Sequence, residues 1–128
     1  MNKTLSLVKV FMLAMFLVVT AQSSTFAANS ERLEIVNGTG KNIKAYYLVQ
    51  AGYKDWGNDR VGGKIFGNGQ TRIFNYDPQF RYFKLRIVFT DGKVVTWQND
   101  NKIDFHDLWR LTIYYDGSKY RVSRNARG

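Results

Sequence analysis

Alternation of period two runs through this chain from about Glu31 to its end, broken by Gly, Asn and Asp. No stretch of useful length repeats with a helical period. Such patterning predicts strands with one face on a core and one in water. Leu33 and Ile35 alternate with Arg32 and Glu34, and Asn37-Gly38-Thr39-Gly40 then reads as a turn. In the next segment Ile43, Ala45, Tyr47 and Val49 fall on one face, and Lys44, Tyr46, Leu48 and Gln50 on the other. Gly67-Asn68-Gly69-Gln70 turns the chain into a strand over Thr71 to Tyr76, and Asp77-Pro78-Gln79 turns it again.

Two hairpins are legible at residue level. Asp91-Gly92, read as a two-residue turn, pairs Val88 with Val95, Phe89 with Val94 and Arg86 with Trp97. Phe83, Leu85, Ile87, Phe89 and Val94 then share the core face. Asp116-Gly117, read the same way, pairs Tyr115 with Ser118, Ile113 with Tyr120 and Leu111 with Val122. Asp104 to Trp109 is expected to make one short helical turn between the hairpins. The sum is about seven short antiparallel strands, an all-β sandwich or flattened barrel.

The amino terminus has a different character. Lys3 and Lys9 precede and flank an apolar run from Val10 to Val19, and Thr25-Phe26-Ala27 fits a small-x-small cleavage pattern. The run is too short to span a bilayer. Residues 1–27 are therefore expected to be a cleaved signal peptide, with a second possible cut after Ala21. Residues 28–128 are expected to form one domain, without a stable membrane anchor. The expected setting is the cell envelope, periplasmic or extracellular. The chain has no cysteine. That excludes disulfides, thiol catalysis, thiolate metal sites and lipidation through a lipobox thiol. Of the 19 Lys and Arg, two lie in the signal segment while all 10 acids lie beyond it, leaving +7 on residues 28–128. Such a field attracts anionic surfaces and polymers. For an exported chain these are envelope polymers, headgroups or acidic glycans rather than nucleic acid.

The long loop between Gln50 and Gly63 is the leading candidate for a ligand site. Tyr53 and Trp56 offer flat apolar faces, and Asp55, Asn58, Asp59 and Arg60 offer hydrogen bonds around them. Trp56 either forms such a platform or folds inward to plug one end of the sandwich. A second candidate is a basic–aromatic face of Lys84, Arg86 and Trp97, with Arg86 across the Trp97 ring. The oxygen ligands Asp55, Asn58 and Asp59 follow no established calcium loop, and neither a metal nor a cofactor is expected. His106 beside Asp104 and Asp107 lacks a nucleophile motif. The acids fall mostly in turns, so no catalytic carboxylate pair is expected. Asn37-Gly38-Thr39 fits a glycosylation acceptor, relevant only in a eukaryotic secretory pathway.

Asn37-Gly38-Thr39-Gly40, Ile43, Tyr47, Asp55-Trp56-Gly57-Asn58-Asp59, Asp91-Gly92 and Leu111-Thr112-Ile113 together resemble a pattern in small, exported, bacterial β-rich proteins of unassigned role. The resemblance implies a β-sandwich in a bacterial envelope or extracellular setting, and it brings no catalytic residues. The expected function is a non-catalytic binding module for an anionic envelope polymer, a glycan or a protein. The alternatives are an assembly component using an edge strand, Arg32 to Val36 or Lys119 to Ser123, and a hydrolase using Asp residues and His106.

Overall fold

Eight strands account for most of residues 30–127, the part that the computed structural model describes. Residues 1–27, expected to be a signal peptide, and both expected cleavage points lie outside the described residues. The strands are β1 (Glu31–Gly38), β2 (Ile43–Gln50), β3 (Thr71–Tyr76), β4 (Tyr82–Phe89), β5 (Val94–Trp97), β6 (Ile103–Asp104), β7 (Leu108–Tyr115) and β8 (Tyr120–Ala126). They form two sheets packed as a β-sandwich, not closed into a barrel. The first sheet has the order β3-β1-β7-β8; the second has β2-β4-β5, with β6 also pairing to β4. Every pairing is antiparallel except β1 with β7. β1 is therefore central, which removes Arg32 to Val36 as an available edge.

Leu33 and Ile35 of β1, Leu111 and Ile113 of β7, and Leu85, Ile87 and Phe89 of β4 fill the core at 0–1% exposure. Each such side chain contributes roughly 1.5–3 kcal/mol by leaving water. Toward one end the filling is aromatic. The Phe83 and Phe105 rings stack at 4.1 Å, and Tyr76 meets Phe105 edge-on at 5.0 Å. The Tyr76 hydroxyl donates to the Leu108 carbonyl at 2.9 Å, which lets a phenol sit in the core without an orphaned polar group. The stretch expected as a helical turn is instead β6, a turn and the start of β7; a single 3-10 turn lies earlier, at Asn99–Asn101.

Registers differ from the sequence reading in instructive ways. The first hairpin closes with three residues, Thr90 to Gly92. The Phe89 N–H donates to the Lys93 carbonyl at 2.9 Å, and Gly92 takes φ +91°, which suits only glycine well. Val88 faces Val94, and Leu85 faces Trp97. The pairing is one residue away from that of a two-residue turn, and a slip of one exchanges the faces. Val94 is consequently 52% exposed and Trp97 is in the core. In β2 a bulge between Ile43 and Ala45 switches the alternation, so Ile43 is buried before it and Tyr46 and Leu48 after it.

Asn37 is buried at 0% exposure, and its side chain is fully engaged. Its Nδ2 donates to the Lys41 and Phe66 carbonyls, both at 2.9 Å, and its Oδ1 accepts from the Thr39 N–H and hydroxyl. The Asn-Gly-Thr triplet is a polar knot tying β1 to the β2–β3 connection. It does not present an acceptor for a glycan.

Candidate functional site

The connection from Gln50 to Thr71 does two jobs. Its first half folds back over the outer face of the second sheet. The Ala51 N–H donates to the Tyr82 carbonyl at 3.0 Å. Gly57, at φ +70°, brings the backbone so close that an added Cβ would stand 3.3 Å from Val49 Cγ1. This path lays Trp56 against the outward side chains of β4. Lys84 Nζ is 4.4 Å and Arg86 Cζ 4.2 Å from the ring centroid. Lys84 is only 6% exposed, and its Nζ donates to the Tyr53 carbonyl at 2.6 Å. Arg86 Nε reaches Thr96 Oγ1 at 3.4 Å. The ring faces and a carbonyl thus stand in for a carboxylate as the partners of a nearly buried cation.

The second half of the connection closes one side of the sandwich. Asp59 Oδ1 accepts from the Tyr46 and Val61 N–H groups at 3.1 and 2.9 Å, while the Arg60 N–H donates to the Tyr46 carbonyl at 2.8 Å. Phe66 bridges to Ile43 with both backbone bonds made. The Arg72 guanidinium donates to the carbonyls of Val61, Lys64 and Ile65. The otherwise open edge of β2 is covered in this way.

The predicted site residues therefore separate. Trp56, Lys84 and Arg86 meet, joining the two candidate groups into one. Trp97 lies on the opposite face of its sheet, in the core, because the hairpin register turned it there. Trp56 is neither an end plug nor a free platform; it is half-buried on the outer face. Asp59 is spent on backbone, and Asp55 and Asn58 are exposed. Tyr53, 58% exposed, and Arg60, with Cζ 5.3 Å from the Phe74 ring, border a groove of about 180 Å³ at one end of the sandwich. Phe80 of the β3–β4 turn stands on that groove too, and Phe74 and Phe83 line it.

His106 Nε2 lies 3.2 Å from Asp107 Oδ2, and both border a hollow of about 230 Å³. Tyr76 is the one hydroxyl residue there, and its oxygen is committed to backbone carbonyls. Asp104 is held down to about 2 by its hydrogen bonds from Arg81 and from the His106 N–H, against desolvation. Asp116 is held well below the carboxylate range by the Lys119 N–H, the Arg121 guanidinium and the Ser118 N–H. No group of three His, Cys, Asp or Glu side chains suited to a metal ion occurs among the described residues.

Trp109 escaped the sequence reading. A bulge in β7 sets Leu108 opposite Ala126 and Arg110 opposite Asn125, leaving Trp109 as the extra residue. Leu108 and Leu111 both face the core, so Trp109 and Arg110 both leave it. The Trp109 ring borders an open hollow of about 550 Å³ with Arg32, Glu34, Ala126 and Arg127. The only sequence signal was two consecutive large residues, Trp109-Arg110, where strict alternation would have buried one. No protein-family model, curated protein or solved structure matches this chain.

Proposed function

We propose that the chain is a small exported, non-catalytic binding module whose ligand is an anionic polymer or glycan of the cell envelope or its surroundings. One observation carries the reading: the imbalance of charge on the folded surface. Setting aside Lys3 and Lys9, 17 of the 19 Lys and Arg residues lie in the described fold, and five of them, Lys41, Arg81, Arg110, Arg121 and Arg127, pair with a carboxylate. Eight of the 10 acids are already engaged, six in contacts with basic side chains, Asp59 with backbone N–H groups and Asp77 with Gln79. The remaining 12 cations (17 less five) outnumber the four acids without a basic partner, Asp55, Asp59, Asp77 and Asp100. Exposed aromatic rings at Tyr53, Phe80 and Tyr82 stand among these cations. Unneutralised charge beside flat apolar faces suits a polymer that is both anionic and ring-bearing.

The test is retention on immobilised polygalacturonate and dextran sulfate, with neutral dextran as control, across a salt series. The expected result is binding to both polyanions, lost as salt shortens the screening length, and none to dextran. Elution of the chain with the unbound fraction at low salt on every polyanion would overturn the reading. Tight binding to single-stranded DNA alone would overturn its ligand class.

A second reading, an assembly component, is favoured by one feature. Among the described residues the outer flanks of β5 and β8 have no strand beside them, and a hollow of about 560 Å³ is lined by residues of both, Val95 and Trp97 of β5 and Tyr120 and Val122 of β8 among them. Unpaired flanks accept another chain. The shared positive charge opposes a second copy of this chain in that place. Sedimentation across a wide concentration range is expected to give a monomer throughout, and a concentration-dependent dimer would favour the second reading.

A further inference from the structure

We infer that the Trp109 hollow on the outer face of the first sheet is a subsite for an acidic sugar residue, a ring carrying a carboxylate or sulfate. The inference rests on the binding-module reading and gives it a location that the sequence did not suggest.

A strand bulge re-aims a side chain out of the regular alternation, and here the side chain is a tryptophan. It is set on the solvent face of a sheet rather than against a core. The ring is then framed by groups that are each tied to partners of their own. Arg110 Cζ lies 4.6 Å from its centroid and is held there by Glu34, whose Oε2 accepts from Nε at 3.3 Å and from Nη2 at 3.1 Å. Parallel pairing of β1 with β7 sets Glu34 opposite Arg110. Arg127 is fixed by Glu31 at 3.1 Å and by the carbonyls of Arg32 and Leu108. Ala126, small and opposite Leu108, leaves the hollow open beside the ring.

Two groups remain uncommitted. Arg32 lies two residues before Glu34 on the same face of β1, is exposed, and its guanidinium makes no ion pair or hydrogen bond among the described residues. Glu34 uses only Oε2, so its Oε1 is free to accept. A flat apolar ring, a free guanidinium and a free carboxylate oxygen match a pyranose in three respects. The C–H face of the sugar packs on the indole. Its acidic substituent takes the planar donors of Arg32. A ring hydroxyl donates to Glu34. A neutral sugar would leave Arg32 unpaired, and a DNA strand would bring its phosphate charge against Glu34 without a ring hydroxyl to offer it.

The experiment is a titration of the isotope-labelled full domain with three short probes: an oligogalacturonate, its methyl ester, and a sulfated oligosaccharide. Amide and indole N–H signals report the place, and the spectrum of each variant reports its fold. At least one acidic probe is expected to shift the Trp109 indole signal and residues 32–34 and 126–127. The methyl ester is expected to bind more weakly than the free acid. Trp109→Ala is expected to weaken acidic binding about tenfold or more, and Arg32→Gln to remove most of the preference for acid over ester. Trp56→Phe is expected to leave both unchanged. Acidic binding that survives Trp109→Ala and Arg32→Gln would overturn the subsite while leaving the binding module standing. Absence of shifts with every acidic probe, in a chain that still binds polyanion columns, would also overturn it. Failure on the columns themselves would remove the broader reading first.

Discussion

Trp56 and Trp109 sit on opposite outer faces of the sandwich, and each has an arginine over its ring. They arrive there by different means. Trp56 is carried by a long connection, and the sheet beneath it answers with two cations and a hydrogen bond from Lys84 to the same loop. Trp109 is turned out by one extra residue in a strand, and its neighbours leave Arg32 and one oxygen of Glu34 unspent. The same pair of residue types is a clasp in one place and an unfilled frame in the other. What distinguishes them is whether the donors near the ring already have acceptors.

Truncation gives the largest expected separation. Trp56→Ala is expected to cost about 2 kcal/mol, near half the loss for a fully buried tryptophan. Trp109→Ala is expected to cost about 1 kcal/mol or less, since it empties a hollow already open to water. Equal shifts of the two urea midpoints would break the comparison. Next in size is the pair of basic residues. Lys84→Ala is expected to cost about 1.5 kcal/mol, because a charge-assisted bond to the Tyr53 carbonyl is lost. Hydrogen exchange across residues 51–57 is expected to accelerate with it. Arg32→Ala is expected to stay within about 0.5 kcal/mol of the parent, as for a surface side chain without partners. A stability loss at Arg32 matching that at Lys84 would mean the frame is structural.

Acid gives the smallest effect. The Trp56 clasp uses ring faces and a carbonyl, which do not titrate. Asp104, which accepts from Arg81 and whose carbonyl accepts from Arg124 of β8, is held down to about 2 from an ordinary 3.8. A depressed carboxylate contributes its stability in full above the ordinary value and loses it as pH falls through the folded one. Stability is therefore expected to decline between about pH 4 and 2. The contribution of Asp104 is about 1 kcal/mol at most, since Arg81 is largely exposed. Asp104→Asn is expected to flatten that part of the curve, whereas Trp56→Ala lowers the whole curve without changing its slope. A slope unchanged by Asp104→Asn would contradict the assignment.

The two Asp-Gly turns show how far local sequence reaches. Both were legible as turns, and both strands flanking each were found. At Asp116 the loop has four residues rather than two, closed by the Asp116 N–H to the Lys119 carbonyl at 3.1 Å, and Tyr115 pairs with Tyr120. That slip is even, so Leu111 and Ile113 keep the core face that alternation assigned them. At Asp91 the slip is odd, and Trp97 and Val94 exchanged roles. The sandwich could be read because its faces repeat every two residues. The candidate site could be read only in part, because Trp56 and Lys84 meet through a loop whose path depends on Gly57 passing Val49. Trp109 depends on a bulge that only the pairing with β8 defines. The central place of β1 depends on β7, far along the chain.

That last pairing has a consequence for how the chain comes into being. Glu34 and Arg110 are 76 residues apart, yet they are neighbours in the middle of one sheet. A polypeptide made from its amino end holds β1 with one flank vacant until nearly the whole domain has been synthesised. Contacts of such long range are slow to form, since the loop entropy is lost before the strand gains its partner. Folding of this domain is consequently timed by its carboxyl-terminal third, and a nascent chain stopped short of Leu108 has only β3 and β1 of its first sheet, with β1 left as an edge.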